Sequence, residues 1–296
     1  MNVHSYLNNR RELIDRALDR YLKGFQSYPK SLYKAMRYSV FSGGKRFRPV
    51  LTLAVGEFFG AKSKALLPFA CALELIHTYS LIHDDLPALD DDDTRRGKPS
   101  THKQFGEGIA LLAGDALLTE AFTLMTERRT VGHMDPARVL DLIHEVAHAA
   151  GIGGMVGGQS IDLEAERTDA DVAAVERIHR RKTGALILAA ARVGAKAAGA
   201  RASDLKRISR YAEALGLAFQ ITDDLLDVEA PSGKVAGAMS CSREQGKKTY
   251  PAVAGMVGAR RRVAQLLKKC LKEIESYDRN ADPLREIARS AVDRAH

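Results

Sequence analysis

The sequence predicts an all-α fold, built as one bundle and not as two domains. Three observations carry that expectation. Apolar residues recur at helical spacing, most clearly at Val263, Leu266, Leu267, Cys270, Leu271 and Ile274, which fall at i, i+3, i+4, i+7, i+8 and i+11 on one helix face. Alternating β-branched runs closed by hairpin turns are missing, so a sheet is not expected. No internal repeat, low-complexity stretch or Pro/Ser-rich linker divides the 296 residues, a length that suits one large helical domain spanning 1–296.

Helices are expected at about 4–24, 30–42, 46–59, 64–88, 107–129, 135–150, 152–166, 170–198, 203–229, 251–276 and 283–295. The third opens behind Gly43-Gly-Lys-Arg-Phe-Arg-Pro49. The fourth carries a proline, Pro87, that should break or kink it near its end. Gly151-Ile-Gly-Gly-Met-Val-Gly-Gly-Gln159 resembles a phosphate loop, but it lies between helical segments, and close helix packing or a kink explains it better. Thr168-x-x-Asp171 reads as a capping box before an Ala/Val/Ile-rich run. Pro251 suits the first turn of the helix that follows it. The polar segments 89–106 and 230–248 are left as loops, each directly after an aspartate cluster.

Composition narrows the class of protein. Hydrophobic residues at 45% and charged residues at 28% are globular values and argue against disorder. Trp is absent and aromatics are 6%, so aliphatic side chains must fill the core. Net charge is +8 and pI about 9.4. Nucleic acid is not the expected partner, because no recognised nucleic-acid-binding pattern is present and no aromatic residues interleave the run Arg260-Arg-Arg262. A basic field could still draw in polyphosphate substrates. Cys71, Cys241 and Cys270 are widely spaced and form no CxxC pair, which fits a reducing compartment without disulfides or structural zinc. The N-terminus lacks an apolar signal region, and the apolar run around Gly184–Ala191 is too short to span a bilayer, so a cytoplasmic protein without stable membrane insertion is expected.

Two aspartate clusters dominate the chemistry. Gln220, Asp223, Asp224 and Asp227 stand at i, i+3, i+4 and i+7, on one helix face. Carboxylates one turn apart, near a helix C-terminus where the dipole opposes them, need a cation between them. Mg²⁺ is suited to that role: it takes carboxylate oxygens and keeps open positions for phosphate. The other cluster reads Asp84-Asp85-x-x-x-x-Asp90, then Asp91, Asp92 and Asp93. Pro87 intervenes, so spacing alone does not say which later aspartate returns to Asp84. Arg95 and Arg96 follow, an adjacent pair of forked donors matched to diphosphate, or else to the loop's own carboxylates. An EF-hand is excluded by the missing Asp-x-Asp-x-Asp-Gly alternation. Lys45 and Arg48 sit at a helix start where an anion could bind. His77 lies two turns before Asp84 on nearly the same face. Lys182-Thr183-Gly184 opens onto the apolar half of its helix.

Taken together, the segments GGKRFRP, HTYSLIHDDLPALDDDDTRRGKPSTH, LAGDALL, GGQSIDLEAE, HRRKTGAL, FQITDDLLD and GKKTYP resemble the short-chain trans-isoprenyl diphosphate synthases, most closely the bacterial farnesyl diphosphate synthases. The resemblance runs from Gly43 to Pro251. It implies an isoprenoid-synthase helical bundle around a deep central cavity, a homodimer, and condensation of isopentenyl diphosphate with dimethylallyl or geranyl diphosphate. It further implies three Mg²⁺, with Asp84, Asp90 and Asp223 as ligands, and Asp85, Asp224 and Asp227 binding metal water or orienting ligands. Arg95, Lys182 and Lys247 would grip the allylic diphosphate. Lys45, Arg48, His77 and Arg96 would hold isopentenyl diphosphate. Thr183 and Gln220 would face the reacting carbons. Tyr79, followed by Ser80, together with the Pro87-Ala88 insertion, implies a fifteen-carbon product, although ideal helical spacing puts Tyr79 off the Asp84 face. The sequence departs from the family after the second aspartate motif. Lys234 stands about three residues early for the usual Gly-Lys-x-x-Gly-x-Asp segment, and Ser242 occupies the place of its aspartate. A geranylgeranyl diphosphate synthase, a class I terpene cyclase and an inactive partner subunit are the competing expectations. Lys45, Arg48 and His77 argue against the cyclase, and the intact aspartates argue against the inactive subunit.

Overall fold

The computed structural model describes residues 3–165, 171–229 and 249–293. Helices dominate, in the order α1 (Val3–Lys23), α2 (Lys30–Val40), α3 (Phe47–Phe58), α4 (Ser63–Asp84), α5 (Thr101–Phe105), α6 (Glu107–Thr126), α7 (Arg128–Val131), α8 (Pro136–Ala150), α9 (Met155–Ala165), α10 (Val172–His179), α11 (Ala185–Ala197), α12 (Ala202–Glu229), α13 (Tyr250–Glu273) and α14 (Asp282–Val292). The expected helices are all present within a few residues. A two-residue hairpin, β1 (Thr94–Arg95) with β2 (Lys98–Pro99), is a small exception to the expected lack of sheet. It is too short to show as an alternating pattern.

One hydrophobic core joins these helices. At its centre α4 is buried almost all round, from Leu66 to Ile82, which is why its apolar residues show no stripe. It packs on α3 and α6; α11 packs on α3 and α12, and α12 on α13. The stripe on α13 meets the core as expected: Val263, Leu266, Cys270 and Ile274 are buried, with Leu267 and Leu271 packed beside them. Pro251 sits in the first turn of α13. Cys71 and Cys270 are buried free thiols. Cys241 lies outside the described residues.

Several expectations need correction. α4 ends at Asp84 and not near residue 88, because Pro87 stops it. The stretch expected as one helix over 170–198 contains a π-helical turn, Arg180–Gly184, between α10 and α11. α13 is interrupted at Gly255, which takes a φ of 70°. Asp171 is the cap of α10, accepting from the amide of Ala174 at 2.7 Å, whereas Thr168 lies outside the described residues. The membrane-length test also changes. By length and composition α4, α6 and the Pro136–Ala165 stretch are apolar enough to cross a bilayer. α4 spends that apolarity on the core. α6 and the Pro136–Ala165 stretch leave apolar side chains outside, with Leu112 53% and Leu140 67% exposed.

Candidate active site

The two aspartate clusters sit at the C-terminal ends of α4 and α12. After Asp84 the chain doubles back tightly. The Asp90 amide donates to the Asp84 carbonyl at 2.8 Å, and the Asp92 amide to the Asp85 carbonyl at 3.1 Å. Asp91 takes a positive φ of 53° to permit the reversal. Asp90 is therefore the aspartate that returns to Asp84, the point that helical spacing left open. Arg95, on β1, bonds Asp85 Oδ1 through Nε at 2.9 Å and reaches Asp92 Oδ2 at 3.2 Å. It thus already pairs with the loop's own carboxylates.

Burial raises both leading carboxyls. Asp84 is pushed up to about 6 by desolvation, with the charges of Asp90 and Asp85 adding and Lys182 and Arg95 opposing. Asp85 is also pushed up to about 6 by burial, against the hydrogen bond from Arg95. Burial outweighs the neighbouring cations at both carboxyls. An all-oxygen donor set of this kind suits a hard divalent cation.

Cations ring the cluster. The π-helical turn holds Lys182, whose Nζ donates to Asp162 Oδ2 at 2.7 Å. Burial works against its charge, but Asp162, Asp84 and Asp90 raise its pKa, so it stays an ammonium beside the first cluster. Gly158 makes this approach possible: a Cβ there would lie 2.2 Å from the Lys182 backbone nitrogen. The glycine-rich segment is therefore a packing device, as expected, and Asp162 lies one turn on from Gly158 along α9.

A second basic group gathers at the start of α3. Arg48 is buried, and its Nε has no hydrogen-bond partner. Burial lowers the pKa of Arg48, while Glu74 and Asp223 raise it, so Arg48 lies within the field of the second aspartate motif. His77 is held well below the usual imidazole range by burial and by Arg48, Arg96, Arg95 and Arg46. It is neutral at pH 7. Arg96 bonds the carbonyl of Gly43. A Cβ on Gly44 would sit 2.7 Å from an Arg96 terminal nitrogen, and Gly44 takes a φ of +127°, so glycine is required there twice over. Lys45 lines a cavity of about 340 Å³ with Asn8, Arg11, Phe47 and Phe219. Arg46, within the same motif, is structural: it is buried, with Nη1 2.7 Å from Glu74 and Nε 2.8 Å from Asp15.

On α12, Gln220 Oε1 accepts from Thr183 Oγ1 at 2.6 Å, which brings these two expected residues together. Asp224 faces inward. Its Oδ2 accepts from the Tyr250 amide at 2.7 Å and lies 3.3 Å from His179 Nε2, and its Oδ1 accepts from Gln220 Nε2 at 3.2 Å. A carboxylate at the start of α13 is favourably placed for that helix dipole. Asp224 is thus committed to protein donors. Asp227 and Asp223 are half-buried one turn apart. Tyr79 is buried with its ring edge-on to His83 at 5.7 Å, and besides burial the charge of Asp84 raises its pKa. Ser80 donates back to the His77 carbonyl at 2.9 Å. Lys247, Lys234 and Ser242 lie outside the described residues.

Sequence reasoning missed Asp162 and His179. Asp162 had a signal, since it falls four residues after Gly158 in a glycine-rich segment. His179 had none, because its partner Asp224 is 45 positions away.

A helical bundle whose two aspartate-bearing helix ends are lined with Lys and Arg defines a class of diphosphate-binding, metal-assisted enzymes. The polyprenyl synthetase family model matches residues 29–287, and the chain belongs to that family. Along its whole length it is 44% identical to a dimethylallyltranstransferase from Fischerella ambigua, covering 84% of that protein. It is 41% identical over 296 residues to a farnesyl diphosphate synthase from Geobacillus stearothermophilus, covering 99% of it. Among solved structures, geranyltransferase from Legionella pneumophila superposes with a TM-score of 0.89 at 31% identity, over 99% of this chain and 98% of that one.

Proposed function

We propose that the protein is a trans-prenyltransferase that condenses isopentenyl diphosphate with dimethylallyl and then geranyl diphosphate, giving farnesyl diphosphate. The observation that carries this reading is the presence of cations within the field of two acidic helix ends: Lys182 is acted on by Asp84 and Asp90, and buried Arg48, with its unpartnered Nε, by Asp223.

In this reading Asp84, Asp90 and Asp223 would hold three Mg²⁺, which would supply the positive charge that a departing diphosphate needs. Lys182 and Arg95, with Lys247, bind the allylic diphosphate and stabilise the charge that grows as its C–O bond breaks. Arg48, His77 and Arg96, with Lys45, bind isopentenyl diphosphate. Neutral His77 serves there as a hydrogen-bonding group and not as a charge. The double bond of isopentenyl diphosphate attacks the allylic carbon, one C–C bond forms, and the proton lost from the adjacent carbon passes to the released diphosphate. Thr183 and Gln220, locked to each other, face the reacting carbons, and surrounding apolar side chains keep water from the cation.

The reading also makes the protein a cytoplasmic homodimer. The exposed leucines on α6 (Leu111 and Leu112) and Leu140 on α8 would be covered by a second copy and not by lipid. Glu107, Asp115 and Glu120 on α6 fit a protein interface better than a bilayer.

Purified protein with Mg²⁺, geranyl diphosphate and labelled isopentenyl diphosphate should yield a fifteen-carbon product. No incorporation would remove the prenyltransferase reading, and a twenty-carbon main product would replace the farnesyl one. Tyr79→Ala should lengthen the product; an unchanged length would show that Tyr79 does not close the cavity.

A further inference from the structure

The first aspartate loop has two sides. Asp92 is buried and accepts from Arg95. Asp91, at the left-handed turn, and Asp93 are exposed to solvent. There they meet His102, from α5. One ring nitrogen of His102 and one carboxylate oxygen from each of Asp91 and Asp93 all lie within 4.8 Å of one another.

His102 supplies the observation that separates this cluster from an ordinary acidic loop. It is 5% exposed, and its Nε2 is buried without any hydrogen-bond partner. Its Nδ1 is held by Ser100 Oγ at 3.1 Å. A buried polar nitrogen without a partner is costly, and folded proteins rarely leave one so. An imidazole fixed through one nitrogen and open at the other is the usual arrangement of a metal-ligating histidine. Lys103 competes as a cation there, its Nζ 2.8 Å from Asp93 Oδ1.

The geometry points to a second divalent-metal site at Asp91, Asp93 and His102, outside the diphosphate site and built from none of its residues. A nitrogen ligand joined to two carboxylates selects zinc, manganese or cobalt over magnesium, which prefers an all-oxygen shell. The loop tethered this way is the one that returns Asp90 to Asp84. Metal here ties residues 91–93 to the start of α5 and stabilises the folded state, because the unfolded chain does not bring these residues together.

The test uses zinc on the full-length, metal-stripped protein without diphosphate. Calorimetric titration and zinc-edge X-ray absorption are run on wild type, Asp91→Asn/Asp93→Asn and Asp84→Asn/Asp223→Asn. Both altered residues of the first variant are on the surface, and circular dichroism confirms folding. Wild type should bind zinc with an imidazole nitrogen in its shell, resist displacement by excess magnesium and gain thermal stability. D84N/D223N should keep that binding. D91N/D93N should weaken it by about tenfold or more, since losing even a supporting group of a metal site costs that much. Equal zinc affinity in D91N/D93N and wild type, loss of the site in D84N/D223N, or a shell without nitrogen would each overturn the inference. None of these readouts depends on prenyl transfer, so the two readings fail separately.

Discussion

Asp84→Asn should make the metal-free protein more stable while removing its activity. Asp84 ordinarily titrates near 3.8 and is pushed up to about 6 in the fold. That difference corresponds to about 3 kcal/mol disfavouring the ionised form at neutral pH. The sign follows from proton binding. The folded state holds this proton more tightly than the unfolded chain, so the stability linked to it is fully present below pH 3.8 and is lost as pH rises through about 6. Asparagine keeps the shape and removes the charge. Relaxation around the site reduces the gain, so about 1–3 kcal/mol is expected at pH 7.5. Urea unfolding in EDTA measures it, at pH 7.5 and again at pH 4, where the advantage of the variant should shrink. Adding magnesium with inorganic diphosphate should reverse the order, because only wild type retains the ligand. If D84N is no more stable than wild type in EDTA at pH 7.5, the argument that burial penalises the Asp84 carboxylate is wrong.

Two further changes probe the supports of the site. Gly158→Ala places a methyl 2.2 Å from the Lys182 backbone nitrogen, a backbone clash that no rotamer relieves. It should cost about 1–3 kcal/mol, lower the thermal midpoint and reduce turnover well below that midpoint; wild-type values for both would show that α9 is free to move away. Asp224→Ala removes the acceptor shared by the Tyr250 amide, Gln220 and His179. It should destabilise the fold by about 2 kcal/mol, the scale of a charged hydrogen bond, measured by denaturant unfolding without metal or substrate. An unchanged midpoint would mean that Asp224 serves only the ligands.

Much of the fold was legible because helical periodicity is local. The stripe on α13 and the four-residue spacing on α12 survive unchanged in the structure. The features that were hidden depend on contacts made at a distance. That α4 ends at Asp84 follows from Pro87, but the return of Asp90 is set by amides donating to the carbonyls of Asp84 and Asp85, which no spacing rule encodes. The π-helical turn that carries Lys182 and Thr183 leaves no composition signature. Arg95 and Arg96 look equivalent side by side in the sequence. The hairpin sends one to Asp85 and the other to Gly43. Asp162 and His179 matter only because α9 and α10 fold against Lys182 and Asp224.

Each motif carries adjacent aspartates, and the structure explains why one carboxylate would not suffice. Neighbouring residues on a helix point about 100° apart, so they cannot do the same work. The second of each pair, Asp85 and Asp224, is the buried one, 2% and 6% exposed. Each is met by a protein donor: Arg95 for Asp85, the Tyr250 amide for Asp224. These inner aspartates fasten the hairpin and α13 to the helix ends. The first of each pair, Asp84 and Asp223, is only half-buried, at the electrically unfavourable end of its helix. Fixing the inner carboxylate holds the outer one in place. The outer one is therefore kept in position where a flexible side chain would turn away to water. By this reasoning the inner aspartates fix geometry, Asp85 doing so at an electrostatic cost like that of Asp84, and the outer ones are held where a cation and a diphosphate can bind.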